Sequence, residues 1–149
     1  MPSKREEALC ALHSALQTIG GRTVAARNAV LEDDELPHGG LIVLRDGDPG
    51  EPDITLGGEG VRLYGYEHVA EIEVLVQLGE AADRDAELDA ALQDISTAVH
   101  GDRTLGGVVD YVMVGAPEDV DDREVDGAID QKACIVPATM LYDSPDPLG

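Results

Sequence analysis

Residues 68–100 read HVAEIEVLVQLGEAADRDAELDAALQDISTAVH, and a change of period inside this stretch decides the fold. From His68 to Leu78, Val69, Ile72, Val74 and Val76 supply the β-branched residues of a strand. Glu71 and Glu73 alternate with Ile72 and Val74, so one face of that strand meets solvent or a partner. From about Asp83 to His100 the apolar spacing becomes Leu88, Leu92, Ile95 and Val99, one stripe of an amphipathic helix. Asp83, Asp85 and Glu87 load its first turn, where the macrodipole favours anions, and Gly101 follows its end.

Toward the N-terminus, Ser3 and Glu6 have capping-box spacing. Leu9, Leu12, Leu16 and Ile19 then repeat at helical spacing, and Gly20-Gly21 stops the helix. Residues 22–28 read as a short strand with polar ends, and residues 32–40 as a loop. Residues 41–44 form a compact buried strand closed by the turn-rich residues 46–50. A further strand spans residues 62–66, just before the strong one.

Toward the C-terminus, Leu105-Gly106-Gly107 leads into a strand over residues 108–114. Residues 116–127 read as a hydrophilic loop carrying Glu118, Asp119, Asp121, Asp122, Glu124 and Asp126, with Asp130 just beyond. The last strand, residues 133–142, contains Pro137; proline cannot donate to a ladder, which predicts a bulge or a sheet edge. Strands cluster instead of alternating with helices. The expected fold is therefore α+β, a mixed, mostly antiparallel sheet covered by two amphipathic helices. It forms one domain over residues 1–142, with residues 143–149 a flexible tail.

The 149 residues carry 31 acids against ten Lys+Arg, a formal net charge of -21. Such a charge disfavours direct affinity for nucleic acid or an anionic membrane. A hydrophobic fraction of 43% nevertheless argues against wholesale disorder. Phe and Trp are absent and Tyr numbers four, so the core is aliphatic and an aromatic base-stacking platform is excluded. No apolar run reaches the roughly 20 residues of a membrane helix, and the N-terminus turns acidic where a signal peptide needs an apolar segment. Cys10 and Cys134 lie far apart among apolar residues and read as small buried hydrophobes in a reducing compartment. Lys4 and Lys132 are the only lysines, a pattern that fits high salt, a GC-rich genome or a functional need for negative charge.

The residues capable of chemistry do not group. Ser14, Ser96 and Ser144 lie in no nucleophile-elbow pattern, and His13, His38, His68 and His100 stand singly, so they read as surface or packing residues. The glycines at 57, 58 and 60 open no helix and no Lys-Ser/Thr follows, which argues against a phosphate cradle. Asp46, Asp48, Glu51 and Asp53 only superficially suggest a calcium loop, because Pro49-Gly50 breaks the EF-hand spacing. The expectation is no catalytic constellation, no metal and no cofactor.

The whole layout resembles the tail terminator (tail completion) proteins of long-tailed bacteriophages, prophages and gene transfer agents. The resemblance rests on the first helix leading to Val24-Ala25-Ala26-Arg27-Asn28 and on Leu41-Ile42-Val43-Leu44-Arg45-Asp46-Gly47. It continues through Ile72 to Val76, the second helix followed by Asp102-Arg103-Thr104-Leu105-Gly106-Gly107, and the closing strand. It implies a subunit, not an enzyme, that assembles as a homohexameric ring on the end of a tail tube, within a phage or phage-like particle built in the bacterial cytoplasm. Its partners would be the tail tube protein, the head–tail connector proteins and further copies of itself, with DNA passing through unbound and no membrane contact. From exposure and charge, Arg22, Arg27, Glu71, Glu73 and Arg123 are candidate subunit contacts, Arg being suited to bidentate pairing across interfaces. Glu118, Asp119, Asp121 and Asp122 are candidate lumen or assembly acids. Two other classes compete: an acidic module that mimics DNA, and a small metal-dependent protein.

Overall fold

A computed structural model describes residues 2–30, 36–56, 60–125 and 128–148. Among them the chain runs α1 (Lys4–Leu16), β1 (Thr23–Val24), β2 (Leu41–Asp48), β3 (Asp53–Leu56), β4 (Arg62–Gln77), α2 (Ala81–His100), β5 (Tyr111–Val114), β6 (Glu118–Val125) and β7 (Ala128–Ser144). The result is an α+β fold, with both helices packed on one face of a mixed, mostly antiparallel seven-stranded sheet. Only the β1–β2 pair is parallel. No helix among these residues is long and apolar enough to cross a membrane.

The sheet is five positions wide. β2 and β3 lie end to end along one side of β4, and β5 and β6 lie end to end along the outer side of β7. The 14-pair ladder between β4 and β7 is the spine. On the helix side Ile72, Val74 and Val76 of β4 meet Leu9, Leu12 and Leu16 of α1 and Leu88, Ile95 and Val99 of α2, all buried. The expected strands at 62–66 and 68–78 are one strand, because β7 pairs with every residue from Tyr64 to Gln77 and leaves nothing on that side to interrupt the ladder. At 16 residues β4 is about 50 Å long. The 20-residue α2 covers only about 30 Å of it. Ile54 and Leu56 of β3, 59% and 77% exposed, lie on the part that outruns the helices.

Several expectations are corrected by this arrangement. Within the expected acidic loop at residues 116–127, residues 118–125 form strand β6, paired with β7. Its composition is poor for a strand, yet β7 offers a ready ladder and an edge strand keeps its acids in water. Pro137 is neither bulged nor at an edge: β7 is the second-innermost strand. Proline is accepted there because its carbonyl, which takes the Gly115 N–H at 2.8 Å, faces the break between β5 and β6. A residue's N and C=O point to the same side of a strand, so the missing donor falls in that gap.

The expected tail is partly strand, since Asp143 and Ser144 extend β7 opposite Gly65 and Tyr64, and Ser144 is buried. Beyond it the Tyr66 hydroxyl donates to the carbonyl of Pro147. Cys10, expected buried, is exposed, whereas Cys134 is buried in the core. Ser3 caps α1 as expected, its Oγ accepting from Glu6 N at 3.1 Å. β3 was not expected, and β5 starts only at Tyr111. The turn ahead of it places Leu105, Gly106 and Gly107 at positive φ.

Candidate functional site

The sheet face turned away from the helices gathers most of the residues singled out from the sequence. On β4 the odd-numbered side chains point there, because the even-numbered ones enter the core. Register then carries that face across the sheet: Glu71 lies between Arg45 of β2 and Pro137 of β7, and Glu73 between Val43 and Ile135. Glu118 and Asp121 of β6 stand opposite Ile135 and Ala133 on the same face.

At the centre is a three-charge network. Arg45 reaches Glu73 Oε2 through Nε at 3.3 Å and Nη2 at 3.2 Å, and donates from Nη1 to the carbonyl of Ala29 at 2.6 Å. Arg123 Nη2 stands 3.8 Å from the other oxygen of Glu73, whose side chain is 16% exposed. One carboxylate thus ties together β2, β4 and β6. Asp119, held at φ 51° in an irregularity of β6, joins Asp121, Arg123 and Glu73 around a shallow cleft of about 250 Å³. Glu71 faces solvent beside the network and has no ion-pair partner among the described residues.

Three of the expected contact or assembly residues lie elsewhere. The Arg22 guanidinium, 8% exposed, binds Asp94 at 2.9 Å and Glu87, both on α2, together with the carbonyl of Gly39. Arg27 grips both oxygens of Glu6 at 2.8 Å, so that carboxyl titrates below its ordinary value. Arg27 Nε also stands 2.9 Å from the buried Asp46 Oδ1, at an angle too bent for a hydrogen bond. Both arginines are engaged by carboxylates of their own subunit, where they lock turns and α1 to the sheet. Asp122 points to the helix side, 3.9 Å from Nε of the buried Arg84. Beside it Lys132 pairs with Asp85 at 2.5 Å. These two contacts clasp the β6–β7 hairpin onto α2.

Arg45 carries no sequence signal of its own; its role follows from the β2–β4 register. Apolar residues beside the charged network were missed for the same reason. Val69, Tyr111 and Met113, 39%, 38% and 44% exposed, share one face with the half-buried Thr139 and Leu141.

The histidines divide by burial. His68 is enclosed, donating from Nε2 to the carbonyl of Asp46 at 2.6 Å and meeting the Tyr142 hydroxyl through Nδ1 at 2.9 Å. Burial holds its pKa below the ordinary value and pushes the Tyr142 hydroxyl up to about 12. His100 Nε2 accepts the Val114 N–H at 3.1 Å, capping the outer edge of β5. Among the described residues no three His, Cys, Asp or Glu side chains converge as a metal-binding set. The glycines at 57 and 58, read as no phosphate cradle, lie outside the described residues. No protein-family model matches the chain, and no curated protein matches it.

Proposed function

We propose that this chain is a structural subunit that assembles with copies of itself into a hexameric ring capping the tail tube of a phage or phage-like particle. In that role it ends tube polymerisation and presents a surface to the head-side connector proteins. The observation that carries the reading is the helix-free sheet face, where Glu71, Glu73, Arg45 and Arg123 stand beside exposed apolar side chains. A subunit that works by contact presents such a face on a rigid scaffold. The resemblance in the first helix, the 41–47 segment and the closing strand supplies the particular assembly. DNA transit through the ring fits a chain of net charge -21, which repels phosphates.

Light scattering in dilute and in molar salt tests the reading. The expected mass is six times the subunit's, favoured by the salt that screens mutual repulsion. Arg123→Glu lowers the yield of that assembly if the charged network takes part in it. A monomer that neither forms rings nor binds tail tubes overturns the reading.

One observation favours a second reading. Glu118, Asp119 and Asp121 gather on the helix-free side of an edge strand, where exposed carboxylates can imitate phosphates. Capture of a nucleic-acid-binding protein in competition with DNA supports that reading over the ring.

A further inference from the structure

The apolar half of the helix-free face has a symmetry that its register makes explicit. Reading across β4, β7 and β5, one row is Glu67–Leu141–Tyr111 and the next is Val69–Thr139–Met113. Each row places a β7 residue midway between its β4 and β5 neighbours. A twofold axis running along β7 just above the sheet therefore lays β4 of one copy over β5 of the other. Val69 then covers Met113, Thr139 meets Thr139, and Leu141 meets Leu141.

The charges match under the same operation. Arg103 lies over the Tyr111 ring, 5.1 Å from its centroid, and donates to the Tyr111 hydroxyl at 2.6 Å. It has no carboxylate within 4 Å among the described residues, although acids outnumber bases three to one in the sequence. Glu67 is exposed at the other end of the Tyr111 row and likewise has no ion-pair partner among the described residues. The twofold axis brings each Glu67 over the Arg103 of the opposing copy. Past Pro137 the same overlay would set Glu73 against Glu118, so the contact ends there.

We propose that this face pairs two copies of the chain, sheet to sheet, with a Val69–Met113 and Thr139–Leu141 centre and two reciprocal Glu67–Arg103 ion pairs. Aligned sheets stack about 10 Å apart, a spacing that side chains of this length bridge. The contact is isologous, the same patch on both partners. It is small against the roughly 800 Å² per partner of a standard interface, so the pairing is weak and concentration-dependent. It does not depend on the ring: a ring closes through head-to-tail contacts, and this one is face to face.

Sedimentation equilibrium in 0.3 M salt, where charge is screened beyond about 6 Å, reads the pairing. The expected mass rises with concentration toward twice the subunit's. Met113→Asp, at a surface position, weakens association at least tenfold while leaving the circular dichroism spectrum unchanged. Glu67→Arg weakens it too, although the lower net charge alone would strengthen it. Combining Glu67→Arg with Arg103→Glu restores association at unchanged net charge. A monomer up to millimolar concentration overturns the proposal, and so does association that Met113→Asp leaves intact. A hexamer insensitive to Met113→Asp sinks this pairing and leaves the ring standing, whereas a Met113-dependent dimer that never forms rings does the reverse.

Discussion

Gly47 offers the sharpest check on how β2 is bent into β3. Arg45 pairs with Glu71 and Asp48 with Val69, so Asp46 and Gly47 together oppose Ala70 alone, a bulge with glycine in the left-handed region at φ 67°. A Cβ built at Gly47 would lie 2.0 Å from the Val69 carbonyl oxygen and 2.8 Å from Ala70 Cα. Both atoms belong to the backbone of β4, so no side chain can swing aside. Gly106 is the control, with φ 74° but nothing within 4 Å of an added Cβ. Gly106→Ala meets only the left-handed penalty, about 1 kcal/mol. Gly47→Ala adds an overlap that the ladder must open to relieve, for a loss of about 3–5 kcal/mol. For a domain of this size, 1 kcal/mol moves Tm by about 2–4 °C. Thermal unfolding by circular dichroism should therefore show Gly47→Ala melting about 6–20 °C below the wild type and Gly106→Ala only a few degrees below. Equal losses at the two glycines refute the close approach of β2 to β4 described above.

Three further predictions follow from the same structure. Arg22→Ala removes a nearly buried guanidinium from Asp94, Glu87 and the Gly39 carbonyl; because both carboxylates regain some water, the loss is about 1–2 kcal/mol in denaturant titration, with no change in oligomeric mass. Glu73→Gln leaves Arg45 and Arg123 without their shared anion and costs about 1 kcal/mol, and a double-mutant cycle with Arg45→Gln should show coupling between them, whereas strict additivity refutes the network. Burial lowers the pKa of both His68 and His100, so the unfolded chain binds more protons just below the ordinary histidine value, about 6.5. Their stabilisation is full above that value and falls away as pH drops from 7 toward 6. His100→Gln, whose amide oxygen can still accept the Val114 N–H, should flatten part of that slope in a Tm-against-pH series, and an unchanged slope counts against a neutral His100 cap.

The charged network and the apolar rows share one surface through a single physical cause. Both helices lie on one side of a sheet whose central strands are too long for them to cover. The opposite face is therefore partly wet, and Glu67, Val69, Glu71 and Met113 there stay exposed. Arg84 and Lys132 hold the acidic hairpin to α2, which keeps β6 in the plane of the sheet. Most of the protein's cations are used this way, each joining two elements in a chain whose acids otherwise repel one another.

Period and capping chemistry alone determined the two helices, the β4 segment, the aliphatic core and the α+β class. Leu9, Leu12 and Leu16, like Leu88, Ile95 and Val99, must share a face because 3.6 residues make a turn, whatever the rest of the chain does. The cap at Ser3 is equally local. Strand pairing belongs to another category, since a strand is completed by its neighbour and not by itself. β6 has no alternation to betray it, because both its faces reach water and β7 supplies the ladder that its aspartates would not favour on their own. Pro137 looked like an edge residue until the break between β5 and β6 was in place to receive its missing donor. Arg22 and Arg27 looked available for partners because sequence shows charge without showing distance. Only tertiary packing brought Glu87 and Asp94, 65 and 72 residues away, against Arg22. The helix-free face likewise arises from the β2–β4–β7–β5 register, long-range contacts that no local pattern encodes.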